Sequence, residues 1–253
     1  MRIGIIGAGA IGASLIRQYT RAGHDVKMTN LSNFEKLKKL ETETGAKAVA
    51  LEHIAKDVDV LVVSVPLTAI PGLAETLGKS IPVGTIIIDT TNYYPIRDGI
   101  IEEIEQGVLE SVWVANHLAH PVIKAYNSIL AGSLVESGLP AGNPKRIALP
   151  ISGDDEQAKS VVAALVNDSG FDAFNAGSLE ESWRQQPGSP IYCTDLNLSQ
   201  LKQNITNVNR EVLRERRELS VQFIIKQDPE QWMTWWKSCI ANNRTIFKCN
   251  LEV

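Results

Sequence analysis

Near the start of the sequence, Gly7-Ala8-Gly9-Ala10-Ile11-Gly12 sets three glycines at the spacing of a phosphate-binding turn. Glycine at the first position lets the chain leave a strand tightly, at the second lets a pyrophosphate approach the backbone, and at the third lets the following helix pack closely. The unpaired N–H groups at the head of that helix, with the positive end of its dipole, then face an anion. The spacing by itself has limited specificity. Its setting carries more weight, because the apolar run ending at Ile6 precedes it and the helical pattern Ile11–Ala22 follows, the strand–turn–helix order that gives the motif its meaning. The expected ligand is a dinucleotide; the competing reading is a glycine-rich turn that holds nothing.

The choice of dinucleotide is made at the end of the second strand, where an Asp or Glu about 20 residues after the loop usually holds the ribose 2′-OH. Here that region reads Thr29-Asn30-Leu31-Ser32-Asn33. With no carboxylate to repel a 2′-phosphate, and with Asn30, Ser32 and Lys36 placed to bind one, NADP(H) is expected. No arginine stands there, so the bidentate clamp is missing, and Lys36, Lys38 and Lys39 read equally well as a solvated helix face. Further contacts are expected from Ser64-Val65-Pro66 and Thr90-Thr91-Asn92, which follow later strands. Proline fixes such a loop, while hydroxyl and amide groups suit ribose and carboxamide; a turn with a helix cap is the plainer alternative.

These loops need a scaffold, and the first half of the chain alternates short β-branched runs with helical patterns, the rhythm of parallel strands joined by helical crossovers. Strands are predicted at Arg2–Ile6, Asp25–Thr29, Lys47–Ala50, Val58–Val63, Thr85–Asp89 and Val122–Tyr126. Helices are predicted at Ile11–Ala22, Asn33–Thr44, from Pro66 to about Lys79, and from a Ser111 cap to His117. Strands at Arg146–Pro150 and Asp172–Asn175, flanking a helix Glu156–Asn167, are expected to complete the wound sheet. The result is an α/β Rossmann fold over residues 1–177, doubly wound and mostly parallel, with a mainly helical C-terminal appendage over 178–253. No internal repeat or low-complexity tract is evident.

Composition narrows the function classes. With 253 residues, 44% hydrophobic and 21% charged, the chain is long enough to bury a sizeable core, and a net charge of −4 supplies no global field for nucleic acid. Cys193, Cys239 and Cys249 are odd in number and form no C-x-x-C pair, which reads as free thiols in a reducing compartment. The apolar run Ile3–Ile16 is broken by glycines and lacks the basic head and cleavage site of a secretion signal. No window approaches the roughly 20 apolar residues that span a bilayer, so a cytoplasmic protein without membrane insertion is expected.

Taken together, the loop, Thr29-Asn30, Ser64-Val65-Pro66 with Ile70, Asp89-Thr90-Thr91-Asn92, Lys124-Ala125-Tyr126-Asn127-Ser128 and Gly188-Ser189-Pro190 resemble the NADP oxidoreductases that reduce coenzyme deazaflavin. The similarity spans about residues 1–195, and the same domain type resembles the cytoplasmic domain of transmembrane ferric reductases. It implies hydride exchange between NADPH and a flavin-like or other small redox acceptor. It also implies that Gly7, Ala8, Gly9, Ala10, Ile11 and Gly12 hold the pyrophosphate and Thr29, Asn30 and Ser32 the 2′-phosphate. Val65 and Pro66 would flank the nicotinamide, and Asn92, Ala125 and Asn127 the hydride path. Relatives commonly carry Ser-Arg where this chain has Leu31-Ser32.

Transfer between two redox rings needs alignment and a dry contact more than an acid or base, so no catalytic residue is assigned. A carbonyl or imine acceptor would require a proton donor, for which His117, His120, Tyr93 and Tyr126 are candidates. The His117/His120 pair reads as surface residues rather than metal ligands, and no metal is expected. Trp232, Trp235 and Trp236 fit a flavin stack, a homodimer interface or simple core packing. Arg210–Glu218 reads as an exposed helix face. The competing functions are an imine or carbonyl reductase and a non-catalytic NADP(H) sensor.

Overall fold

The computed structural model describes residues 1–31 and 34–252, the side chains of Phe34, Pro229, Trp232 and Met233 excepted. Its main sheet is built from β1 (Arg2–Ile6), β2 (Asp25–Thr29), β3 (Lys47–Ala48), β4 (Val60–Val63), β5 (Ile86–Asp89) and β6 (Val122–Lys124). All pair in parallel, in the order β3-β2-β1-β4-β5-β6. β1 is central, with Ile5 opposite Met28 on one side and Val62 on the other. This is the Rossmann order, with its switch point between β1 and β4.

Both faces of the central strands are covered, as a parallel sheet requires. Alternation along each strand divides the core in two. Ile3, Ile5, Val60, Val62 and Ile88 pack with Leu15, Ile16 and Tyr19 of α1 (Ala10–Arg21) and Leu37 and Leu40 of α2 (Phe34–Thr44). Ile6, Leu61, Val63, Ile87 and Val122 pack on the other face with α3 (Ile70–Leu77). Two single-turn helices follow, α4 (Pro95–Asp98) and α5 (Glu102–Glu105), then α6 (Glu110–Leu118), which covers the same face through Trp113 and Val114. The predicted Ser111 cap is corrected: α6 begins one residue earlier, and the Ser111 hydroxyl donates to Asp89 Oδ2 at 2.8 Å.

A second correction concerns the later strands. After α7 (Ala131–Glu136), β7 (Ala148–Ile151) and β8 (Asp172–Asn175) pair in parallel across α8 (Glu156–Asp168), but as a separate two-stranded sheet. The chain meets the edge of β6 at an isolated antiparallel bridge made by Ser152, the residue that follows β7, and so does not continue the parallel ladder. Lys124 N–H donates to the Ser152 carbonyl at 2.8 Å, and Ser152 N–H returns a bond to Lys124 at 3.1 Å. β6 also stops sooner than predicted, since Tyr126 takes φ +59°.

From Leu179 to Gln185 the chain forms a 3-10 stretch in which Ser182 and Gln185 have no exposed surface. The helical reading of the C-terminal region resolves into α9 (Leu198–Ile205), α10 (Leu213–Ile224) and α11 (Trp232–Ile246). Asn197 caps α9 in a reciprocal capping box with Gln200. α10 and α11 are joined by Ser220 Oγ donating to Asn243 Oδ1 at 2.7 Å. α11 docks on α7, where the Trp236 ring covers Gly132 so closely that a Cβ there would lie 2.4 Å from it. Trp236 is therefore a packing residue, and the Trp235 indole donates to the Asp228 carbonyl. The Arg210–Glu218 face is not wholly exposed either: Leu213 and Arg217 are buried, and Arg217 lies over the Tyr93 ring.

Gly132→Ala should overpack this contact and destabilise the protein by about 1–3 kcal/mol, measured as a lowered urea midpoint with Trp fluorescence as the probe.

Candidate functional site

The glycine loop is shaped by close backbone approach at two positions and by open space at the third. Gly7, at φ +99°, donates its N–H to the Thr29 carbonyl, and a Cβ on it would fall 2.1 Å from the Ser64 carbonyl oxygen. A Cβ on Gly12 would fall 1.9 Å from the Gly7 carbonyl oxygen. Among the described residues, nothing lies within 4 Å of a Cβ placed on Gly9. That is the division of labour a pyrophosphate site needs: two glycines close the protein and one leaves room. No side chain caps α1, whose first turn carries no carboxylate.

The loop opens on a cleft of about 360 Å³ at the carboxyl ends of the strands. Three segments converge there: Gly7, Ala8 and Gly9; Asn30 and Leu31 after β2, with Lys36 from α2; and Ser64, Val65 and Pro66 after β4. Lys36 also borders a neighbouring cleft of about 360 Å³ with Ala10, Ser14, Arg17 and Lys39. Arg17, which the sequence reading did not single out, is ion-paired to Glu43 at 2.6 Å. Thr29 is buried at the strand end, while Ser32 lies outside the described residues.

On the other side of the same loop, Ile11 lines a second cavity of about 350 Å³. Its polar end carries Thr90, Asn92 and Asn127. Its apolar body carries Ile129, Leu130, Val221 and Ile224, with Tyr94 and Tyr192. Asn92 and Asn127 are locked together. Asn92 Nδ2 donates to the Asn127 carbonyl at 2.9 Å, and Asn127 Nδ2 donates to Asn92 Oδ1 at 3.0 Å and to the Gln185 carbonyl at 2.8 Å. Gln185 Nε2 donates to Asn127 Oδ1 at 2.9 Å, and its own Oε1 accepts from Ser152.

Below this network sits a fully buried ion pair. Lys124 Nζ donates to Asp89 Oδ2 at 3.0 Å and to the Thr91 carbonyl, and Asp89 Oδ1 accepts the Thr91 N–H at 2.8 Å. The pair fixes the loop that carries Asn92. Thr91 itself is buried, and its hydroxyl has no hydrogen-bond partner. Ile70 and Ala125 have no exposed surface and border neither cavity, so these two candidates support the site from the core.

The proton-donor candidates are redistributed. Tyr126 lines the second cavity, but its hydroxyl is buried between Tyr19 at 2.8 Å and Ser169 at 3.1 Å, and the Tyr93 ring is covered by Arg217. His117 bonds to the Trp113 carbonyl and His120 to the Gly78 carbonyl, so the two rings do not converge. Tyr94 and Tyr192, which the sequence reading passed over, share a 2.7 Å hydroxyl hydrogen bond in the wall of the second cavity.

Residues 2–93 match the family of NADP oxidoreductases that are coenzyme F420-dependent. That match falls on β1 through β5 and the loop after it. A hypothetical protein of Sinorhizobium meliloti superposes with a TM-score of 0.68 at 27% identity, covering 78% of this chain and 95% of that one. A provisionally assigned F420-dependent NADP-reductase of Arthrobacter sp. FB24 shares the fold at a TM-score of 0.60 and 20% identity, covering 72% and 87%. An imine reductase of Myxococcus stipitatus, solved with NAD+, does so at 0.52 and 18%, covering 70% and 54%. The protein YjhV of Escherichia coli K12 is 51% identical over 57 residues, which is 22% of this chain and 42% of that protein. The chain thus spans under half the length of this curated relative. The matched family and the named enzymes sharing the fold are oxidoreductases of the NAD(P)-dependent type.

Tyr94, Tyr192 and Gln185 left only faint signals in the sequence. Gln185 and Tyr192 fall in the polar Gly/Pro-rich segment, and Tyr94 adjoins the singled-out Tyr93. The ion pair had a stronger one, because Asp89 ends the run Ile86-Ile87-Ile88 and Lys124 follows Val122-Ile123.

Two tests follow from these buried charges. Lys124→Met should cost about 3–5 kcal/mol, because Asp89 would remain buried without its cation; equilibrium denaturation measures it. The second concerns Glu110, whose carboxylate accepts the Tyr93 N–H at 3.1 Å and is pushed up to about 7 by burial, against the opposing effects of Lys124 and that hydrogen bond. Its folded-state proton affinity exceeds the ordinary value of 4.5. Its stabilising contribution is therefore complete below that value and lost as pH rises through about 7. Glu110→Gln should remove this slope, on the order of 2–3 kcal/mol, from urea midpoints measured across that interval.

Proposed function

We propose that the protein is an NADPH-dependent reductase that passes hydride to a flavin-like or other small redox acceptor seated in the second cavity. The observation that carries this reading is the position of one loop between two cavities. Ala8 and Gly9 border the dinucleotide cleft, and Ile11, three residues beyond Ala8, borders the acceptor cavity. A dinucleotide laid across Gly9 would extend its nicotinamide past Ser64-Val65-Pro66 toward Thr90, Asn92 and Asn127. The carboxamide finds amide partners there, and the reacting face of the ring opens on the apolar chamber.

In that arrangement the bound cofactor supplies the hydride and the protein supplies alignment in a dry space. Gly7 and Gly12 hold the backbone where its N–H groups face the phosphates. Asn30 and Lys36 support recognition of a 2′-phosphate, as does the absence of a carboxylate after β2. The locked Asn92–Asn127–Gln185 network presents fixed dipoles, so little reorganisation is needed when the rings meet. Residues 1–177 form the dinucleotide unit in this reading, and residues 178–253 complete the acceptor cavity through Tyr192, Val221 and Ile224. A deazaflavin, a flavin or a quinone suits the cavity's largely apolar lining.

NADPH should quench the intrinsic Trp fluorescence with an affinity at least about tenfold above that of NADH, the equivalent of one charge-assisted contact. Comparable affinities would defeat the 2′-phosphate assignment. NADPH oxidation followed at 340 nm with flavin, deazaflavin, quinone and ferric acceptors tests the activity. Binding without turnover on any of them would make the protein a nucleotide sensor.

A further inference from the structure

Hydride transfer explains the amides of the acceptor cavity but not its two tyrosines. Tyr94 stands two residues beyond Asn92 on the loop after β5, and Tyr192 reaches the cavity from the segment after Gln185. Their hydroxyls meet at 2.7 Å in the cavity wall, which Arg97 also lines. Each hydroxyl has one hydrogen, and the shared bond uses one of the two. Among the described residues neither oxygen bonds to a carbonyl or a carboxylate, and the further partner is the Cys193 thiol, which pairs with the Tyr192 hydroxyl and is a weak acceptor. A buried hydroxyl whose acceptor is a thiol is poorly satisfied. A ligand oxygen or nitrogen in the cavity would be a stronger acceptor than the thiol.

The surroundings keep the pair in its proton-bearing form. Burial raises the proton affinity of both tyrosines, and it likewise holds the Cys193 thiol beside them in its neutral form. The Arg97 guanidinium stands 5.6 Å from the Tyr94 ring centre, where it is tied to Asp98 and to the Asn92 carbonyl. Tyr94 is thereby braced against the residue that adjoins the nicotinamide end.

We infer that the Tyr94–Tyr192 pair is the proton donor of the reaction, and that the acceptor is a neutral, largely apolar molecule whose reducible C=O or C=N group places its heteroatom against these hydroxyls. This rests on the reductase reading given above. The C4–H bond of the dihydronicotinamide breaks and its hydride bonds to the electrophilic atom of the acceptor, the carbon of a simple C=O or C=N group or the far oxygen of a conjugated quinone. The acceptor takes both electrons while the nicotinamide is oxidised. The electron pair of the C=O or C=N bond moves to the heteroatom, which takes the proton of the hydroxyl facing it. The partner hydroxyl returns a proton to the resulting tyrosinate, and solvent restores the pair.

The test compares Tyr94→Phe, Tyr192→Phe and the double variant with the unaltered protein, using NADPH and two kinds of acceptor. A neutral quinone requires a proton at oxygen, whereas the 10-methylacridinium cation takes hydride alone; its rate without protein is subtracted. In the double variant kcat for the quinone should fall about 10²-fold, while its KM, the NADPH Kd and the acridinium rate stay within about threefold. An unchanged quinone rate overturns the inference, as does an equal loss with both acceptors or a parallel loss of NADPH binding. If the unaltered protein binds NADPH but reduces neither acceptor nor any of the wider panel, the reductase reading itself falls.

Discussion

The ion pair between Lys124 and Asp89 is the interaction on which the site's geometry depends. A lysine with no exposed surface is tolerable only if its charge is matched and its donors are used. Here one donor goes to Asp89 and another to the Thr91 carbonyl, while Ser111 and the Thr91 N–H occupy the remaining carboxylate positions. The pair therefore fixes the ends of β5 and β6, the first turn of α6 and the loop leading to Asn92. The backbone of Lys124 extends the same control outward, because its N–H and carbonyl hold Ser152 and with it the second sheet. Gln185, bonded to Ser152 and Asn127, then inherits its position from that bridge.

The other fixed point is the crossing of the glycine loop with the end of β4. With Gly7 and Gly12 leaving no room for a Cβ, strand β1, helix α1 and the Ser64 turn are set at backbone contact distance. Parallel pairing of β1 with both β2 and β4 brings the ends of three strands to one edge, and the change of winding direction there leaves the crevice in which ligands bind. Two rigid supports, one of backbone contact and one of buried charge, thus face each other across the proposed hydride path. Rigidity of this kind matters for a reaction whose rate depends on the distance and alignment of two rings.

Much of this was readable from residue order. The strand–turn–helix context of Gly7–Gly12, the missing carboxylate near Asn30 and the strand ends at Ser64 and Asn92 are local signals. Strand alternation and loop chemistry are written into short windows. The long-range part was less legible. Arg146–Pro150 and Asp172–Asn175 carry an ordinary strand pattern, and nothing in either segment shows that the chain meets β6 at an antiparallel bridge just beyond the first of them. Ser111 looks like a helix cap because the local pattern cannot reveal a buried carboxylate on a strand 22 residues earlier. Ile70 and Ala125 lie beside loop residues in the chain yet face the core.

The sequence by itself determined the fold class, the dinucleotide loop and the preference expected at its ribose, because backbone conformation, periodicity and a nearby absence of charge are properties of contiguous residues. Only the tertiary structure decided what lines the second cavity. Asn92 and Asn127 are 35 residues apart, Tyr94 and Tyr192 are 98 apart, and Val221 and Ile224 come from a helix beyond any recognised motif. Contacts over such separations depend on how sheet edge, ion pair and C-terminal helices close on one another, and no local pattern encodes that closure.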